Sequence, residues 1–264
     1  LIWGLITSVT VGFSVQVAQR IGAKQDEEAR SVLRQGLVVG FLVSILIALI
    51  GLVVSPYLPN WLGGPPELYE DARVYFLIFC LGTPAALLGF MASSMLRSTG
   101  NVKLPSIINI GMCFLDAFFN LLLIFPTSDY NILGFKLTVP GANLGVAGAA
   151  LGTILAELVS AGLMLWFLLV KSEKLSLIGR KGSFIPEIFC MRRTFRIGSP
   201  IALERIAMSG AQIVTTMIVA PLGPIALAAH SFAITAESLC YMPGFGVADA
   251  ASTIVGQSIG AKRP

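Results

Sequence analysis

Five acidic side chains lie inside long apolar stretches of this sequence, where solubility cannot explain them. They are Asp116, Glu157, Glu204, Glu237 and Asp249. On insertion scales a charged side chain costs about 2.5–3.5 kcal/mol at the centre of a membrane helix, so each acid requires a partner, a watery cavity or a function. A buried carboxylate can exchange a proton or a monovalent cation, which is chemistry that couples ion flow to transport. For any single one of these acids, an interhelical hydrogen bond is the alternative role.

Two of the polar residues share a helix face near the middle of one apolar stretch. Asp116 and Asn120 are four residues apart, so their side chains lie one turn above each other. This spacing favours a site for a cation or a proton, and a helix-packing pair is the competing interpretation. Glu157 lies among Gly and Ala residues, which permit close approach of helices, and we expect it beside the same polar pocket.

The remaining acids belong to the second part of the chain. Glu204 and Arg205 are adjacent, and adjacent residues do not face each other on a helix. Long side chains lean toward the helix N-terminus, so we expect Arg205 to extend back to the cytoplasmic interface. Glu204 is then the candidate titratable group of this part. Glu237 and Asp249 are too far apart on the last stretch to act on one site.

The elements that position these acids are apolar helices long enough to cross a membrane. Of the 264 residues, 55% are apolar and 12% are charged, whereas soluble domains carry about 25% charged residues. A bilayer core of about 30 Å requires about 20 apolar residues per helix. Seven stretches qualify, namely residues 1–18, 36–58, 74–96, 105–125, 146–170, 198–219 and 225–255. The sequence therefore predicts an all-α integral membrane protein.

Basic residues alternate between the connections, which predicts the orientation of the helices. The connections 19–35, 97–104, 171–197 and 256–264 hold 15 of the 18 Lys and Arg residues. Cytoplasmic loops carry such an excess, so these four connections are predicted to be cytoplasmic. Leu1 then enters from the outside, and we expect at least one further helix upstream. The net charge of +4 follows from this placement and does not indicate nucleic acid as a partner.

The patterns of an enzyme or a metal site are missing from the sequence. The four cysteines form no CxxC spacing, and His230 is the one histidine. There is no HExxH, GxSxG or aspartate-rich diphosphate motif. We expect no enzymatic activity and no cofactor beyond a coupling ion. The expected partners are membrane lipid and a small-molecule substrate, with no nucleic acid and no obligate protein partner.

A repeated segment predicts an internal duplication. Residues 14–24 (SVQVAQRIGAK) and 252–262 (STIVGQSIGAK) match at seven of eleven positions. Both copies lie at the cytoplasmic end of a stretch, six stretches apart, as in transporters built from two parallel six-helix halves. On this basis the chain holds spans two to eight of about twelve. The predicted N-terminal lobe is residues 1–170, the connection is 171–197, and 198–264 begins the C-terminal lobe. A seven-span receptor does not explain the repeat.

Several segments together resemble the multidrug and toxic compound extrusion (MATE) family of cation-coupled efflux transporters. They are residues 17–23 (VAQRIGA), 255–261 (VGQSIGA), 96–101 (LRSTGN), 145–153 (GVAGAALGT) and 220–243 (APLGPIALAAHSFAITAESLCYMP). Each segment alone is a weak signal, but their order and topology make the resemblance specific. It extends over essentially the whole chain.

The resemblance implies two six-helix lobes around a central cavity in the cell inner (plasma) membrane. It also implies export of cationic amphipathic compounds in exchange for sodium ions or protons. Members of the family commonly carry Asn-x-x-x-Asp in the fifth helix, and Asp116 and Asn120 occupy matching positions with the order exchanged. The family's first-helix acid would precede Leu1.

The second lobe departs from the family pattern. Some members place a cation-binding Glu where this chain has Met208, and Glu204 lies one turn earlier on the same face. Asp249 stands where the family pattern leads us to expect a small apolar residue. The alternative function is a lipid-linked oligosaccharide flippase of the same superfamily. Such flippases usually line the cavity with basic residues, and here Arg205 alone is basic inside a span.

Overall fold

The computed structural model describes residues 2–58, 69–132, 135–179 and 182–262. Most of the predicted connection 59–73 therefore lies outside the described residues, as do Leu1 and Arg263. Each predicted span coincides with one long helix. The helices are α1 (Ile2–Gly22), α2 (Asp26–Val54), α3 (Tyr69–Ser98), α4 (Lys103–Ile124), α5 (Gly145–Trp166), α6 (Ile188–Val219) and α7 (Pro224–Gly260).

Five of the helices, α1 to α5, are long and apolar enough to cross a membrane. The first residues of two helices suit a helix N-terminus. The helix α2 begins with Asp26, Glu27 and Glu28, where the helix dipole favours negative charge. The helix α7 begins with Pro224, whose fixed φ suits the first turn. The predicted all-α membrane fold is confirmed, and the protein is a multi-pass membrane protein.

One connection contains β-structure, which the sequence analysis did not predict. Between α4 and α5, strands β1 (Pro126–Ile132) and β2 (Phe135–Ala142) form an antiparallel hairpin. At its base the backbone N–H of Asn143 donates to the carbonyl of Phe125 at 3.1 Å, and Leu144 N–H donates to Leu123 at 2.9 Å. The hairpin therefore fastens the end of α4 to the beginning of α5.

The core lies between α1, α2, α3 and α5. Its largest buried side chains include Phe13, Leu33, Leu87, Met91, Met95, Met164 and Leu168. By contrast, α4 leaves Ile107, Phe114 and Phe118 more than half exposed, as expected of a helix with a face toward acyl chains.

Helix α1 packs between the helices that precede residue 171 and the helices α6 and α7. It packs against α2 and α3 on one side, and against α6 and α7 on the other. The helices α6 and α7 have far fewer contacts with each other than with α1. The helix α6 begins at Ile188, inside the predicted connection 171–197, so its first turns already contact α1.

Candidate functional site

The helices α4 and α5 place three of the predicted site residues close together. Asn120 Nδ2 donates a hydrogen bond of 3.2 Å to Asp116 Oδ1, one turn away on α4. Glu157 on α5 is near enough to Asp116 for their charges to interact. All three side chains are partly buried. We call Asp116, Asn120 and Glu157 the acid cluster.

One acceptor atom of the acid cluster has no partner. Asn120 Oδ1 is buried and receives no hydrogen bond from the described residues. Buried polar atoms are rarely left in this condition, because the lost hydration is not replaced. Gly152 on α5 makes room for this amide, since a Cβ atom at Gly152 would collide with Asn120 Oδ1. The acid cluster thus presents carboxylate and amide oxygens that form no ion pair with a Lys or Arg among the described residues.

Glu157 also borders two cavities. The first cavity has a volume of about 220 Å³ and is lined by Trp3, Phe79 and Thr83. The second has a volume of about 110 Å³ and is lined by Trp3, Phe90 and Asn109. Glu157 lines both cavities. The Trp3 and Phe90 rings pack with their centroids 5.4 Å apart. The carboxylate therefore lies between two small chambers with aromatic walls, where a cation can be held.

The predicted residues of the second part lie elsewhere. Glu204 and Met208 are exposed on α6, and Glu237 is exposed on α7. None of the three lines either cavity beside Glu157. Within the described residues, the structure therefore does not bring them to the acid cluster.

The side chain of Arg205 contacts both α1 and α7. Its Cβ atom packs over Gly4 near the start of α1. Its guanidinium lies 5.2 Å from the ring centroid of Phe245 on α7, and its buried Nε has no hydrogen-bond partner among the residues that the structure describes. A guanidinium over an aromatic ring is a favourable cation–π arrangement, so Phe245 gives this charge a partner between the helices.

Asp249 has a partner that sequence analysis missed. Arg97 Nη1, at the end of α3, lies 3.0 Å from Asp249 Oδ2 on α7. This ion pair explains an acid where a small apolar residue was expected. The two residues are 152 positions apart, and nothing in their sequence spacing indicates the pairing.

The repeated segments pack against each other. A Cβ atom at Gly22 would collide with the backbone carbonyl of Gln257, and one at Gly260 would collide with that of Gln19. Gln19 and Gly22 occupy the same positions in the first copy as Gln257 and Gly260 in the second. The contact is therefore reciprocal, as expected when related halves meet about a twofold axis.

Further polar contacts strengthen this end of the molecule. Gln257 Nε2 donates to the carbonyl of Ser98 at 2.7 Å. We call residues 17–23, residues 255–261 and the Arg97–Asp249 ion pair the cytoplasmic closure, because the basic connections predict that this end faces the cytoplasm. Beside it, Gln16 Nε2 donates to Thr194 Oγ1 on α6 at 2.7 Å.

Cys190 in the first turn of α6 is also buried against α1, whereas Ile188 and Phe189 are exposed. Cys190 Sγ lies 3.7 Å from Gln16 Oε1 and donates to it. Burial raises the pKa of the Cys190 thiol, and the nearby Glu187 carboxylate raises it further. This thiol is therefore held in its neutral form, as a packed side chain and not as a nucleophile.

The sequence is similar to a known protein family and to several transporters. The MatE family model matches residues 1–122 and 200–264. A probable multidrug resistance protein NorM of Thermotoga maritima is 29% identical over 257 residues, which are 96% of this chain and 52% of that protein. The uncharacterized transporter YisQ of Bacillus subtilis is 24% identical over 98% of this chain and 54% of that protein. The chain spans about half the length of the curated relatives it matches.

Solved structures agree with the fold. A MOP superfamily transporter from Pyrococcus furiosus superposes with a TM-score of 0.84 at 24% identity, covering 98% of this chain and 54% of that chain. A multidrug resistance MATE family transporter in an outward-facing conformation gives a TM-score of 0.83 with the same coverage. Since the family model matches well over half of the chain, this protein belongs to the MatE family, the multidrug and toxic compound extrusion transporters.

Proposed function

We propose that the protein exports cationic amphipathic compounds across the plasma membrane in exchange for sodium ions or protons. Family membership supports transport, and the NorM relatives are named as probable multidrug resistance proteins. The observation that supports ion coupling is the buried Asn120 Oδ1, which lies beside two acids and receives no hydrogen bond within the described part of the chain.

The acid cluster suits a coupling ion for electrostatic reasons. Asp116 and Glu157 repel each other when both are ionised, and binding a proton or a sodium ion removes the repulsion. Asn120 Oδ1 would add a neutral oxygen ligand to the two carboxylates. An exported cation competes for the same negative charge, so the coupling ion and the substrate exclude each other. This competition is the basis of antiport.

In the proposed cycle, the cytoplasmic closure is the contact that must open for substrate to enter from the cytoplasm. The lobes would be residues 1–170 and 198–264 onward, joined by 171–197, and they would rock about α1. Helix α1 is suited to this role because it contacts helices of both lobes. Glu204 and Glu237 would line the chamber from the second lobe, while Met208 supplies no charge there.

Transport by the full-length protein in everted vesicles tests the coupling. Asp116→Asn removes a charge from the acid cluster while retaining the side-chain shape, so we expect dye efflux driven by the ion gradient to fall at least about tenfold. Asp71→Asn is the matched control, because Asp71 is an exposed acid at the start of α3. Efflux should be measured with a sodium gradient at fixed pH, and separately with a pH gradient in the absence of sodium.

The outcomes separate the parts of this proposal. If Asp116→Asn transports at the rate of Asp71→Asn, Asp116 has no role in coupling. If neither gradient drives efflux in the unsubstituted protein, export by ion exchange is wrong. Response to a single gradient identifies the coupling ion.

A further inference from the structure

A basic groove lies at the cytoplasmic end of α4 and α5, away from the acid cluster. It has a volume of about 670 Å³, within the range of about 300–1,000 Å³ that is usual for ligand sites. Its rim includes Lys103, Lys171 and Lys174, and Glu173 is the one acid among its lining residues. We call this the lysine groove.

The lysine groove lies at the level where a bilayer meets water. Lys103 is the first residue of α4, and Lys171 ends the π-helical turn Phe167–Lys171 that follows α5. Trp166, one turn inside, is 46% exposed, and tryptophan is enriched at this level of membranes. Both connections that form the groove are predicted to be cytoplasmic. The groove is therefore within reach of lipid headgroups of the inner leaflet.

One of the three lysines is held in position by aromatic rings. Lys171 Nζ lies 4.8 Å from the ring centroid of Trp166 and 5.4 Å from that of Phe167. Such cation–π contacts restrict a long side chain that would otherwise sample many rotamers. Lys103 and Lys174 are exposed and have no ion-pair partner among the described residues. The three lysines outnumber the one acid that lines the groove, so its lining carries a net positive charge.

We propose that the lysine groove binds the phosphate-bearing headgroup of an anionic phospholipid of the cytoplasmic leaflet. Clusters of Lys at this level attract anionic lipids, and a phosphate oxygen accepts hydrogen bonds from an ammonium group. The acyl chains would lie along the exposed apolar face of α4, which includes Ile107 and Ile110. This inference does not depend on the exported compound or on the coupling ion.

Quenching of Trp166 fluorescence by brominated lipid tests this site in the full-length protein. Every other tryptophan, including Trp3 and Trp61, is replaced by Phe, so that Trp166 is the one reporter. We expect brominated phosphatidylglycerol to reach half-maximal quenching at a mole fraction about tenfold lower than brominated phosphatidylcholine. In Lys103→Gln/Lys174→Gln this preference should disappear, while Lys103→Arg/Lys174→Arg should retain it.

The matched control is Lys24→Gln/Lys262→Gln, which removes two exposed charges from the same side of the protein but outside the groove. The control should keep the full preference. Equal quenching by both lipids in the parent protein overturns the proposal, as does a preference that survives Lys103→Gln/Lys174→Gln. Loss of the preference in millimolar inorganic phosphate would assign the groove to a soluble phosphorylated ligand and also overturn it.

Discussion

The acid cluster and the cytoplasmic closure are both polar sites within an apolar bundle, but their polar atoms are satisfied differently. In the closure, Gln257 donates to a backbone carbonyl and Arg97 pairs with Asp249. In the acid cluster, Asn120 Oδ1 receives no hydrogen bond from the described residues, and Asp116 interacts with a second acid. The polar groups of the closure thus have protein partners, whereas among the described residues no Lys or Arg pairs with the acids of the cluster. From this difference we expect the closure to act as a packing contact and the cluster to act as a binding site.

The largest effect on the free energy of unfolding is expected at the backbone contact between Gly22 and Gln257 in the closure. Gly22→Ala places a methyl group against the backbone of Gln257, which cannot rotate away as a side chain could. Overpacking of this kind costs about 1–3 kcal/mol. The free energy of unfolding of the full-length protein in detergent should fall by this amount, and Gly260→Ala should behave alike because its contact is the reciprocal one.

Gly162→Ala is the control for that comparison. Gly162 is helical in α5, and a Cβ atom there meets nothing within 4 Å. Its free energy of unfolding should stay the same or rise by up to about 1 kcal/mol, from the better helix propensity of alanine. An equal loss in Gly162→Ala and Gly22→Ala would show that the closure contact does not cause the effect.

An intermediate effect is expected from Gly152→Ala, which would sharpen the distinction between packing and binding. The new methyl group would displace the Asn120 amide and crowd the Asn120 backbone nitrogen at 3.1 Å, so the free energy of unfolding should fall by about 1 kcal/mol. Ion-driven efflux should fall about tenfold, because a ligand oxygen is misplaced. A large loss of stability with unchanged efflux would mean that this region is a packing contact.

The smallest effect is expected from the ion pair of the closure. The side chains of Arg97 and Asp249 are 25% and 59% exposed, so their pairing contributes about 0–1 kcal/mol. Arg97→Glu should lower the free energy of unfolding within this range, and Arg97→Glu/Asp249→Arg should restore it. A double-mutant cycle measures the coupling free energy of the pair. A coupling of zero, with no recovery in the double variant, would remove the ion pair from the closure.

Much of the fold could be predicted from composition and from the placement of charge. Seven apolar stretches predicted seven helices, and the repeat indicated related segments that the structure brings into contact. The i, i+4 spacing of Asp116 and Asn120 also anticipated a shared face, because that relation depends on helix geometry alone. These features are local, or they repeat along the chain.

Features that depend on contacts between distant segments could not be predicted. The pairing of Arg97 with Asp249 depends on how α3 and α7 approach each other, and the position of Arg205 depends on Phe245. The hairpin between α4 and α5 was missed because hydropathy identifies membrane helices and says little about short strands in a connection. The environment of Asn120 Oδ1 likewise depends on a contact between helices, because it is defined only when α5 packs beside α4.

The hairpin has a mechanical consequence for the acid cluster. Its backbone hydrogen bonds at Asn143 and Leu144 join the adjoining ends of α4 and α5, so we expect the two helices to move together. Asp116 lies on α4 and Glu157 lies on α5. Rocking of one lobe would therefore move both carboxylates together. An ion bound between the two carboxylates would move with α4 and α5. Its release would follow from a change in the access of water to the site, while the distance between the carboxylates stays constant.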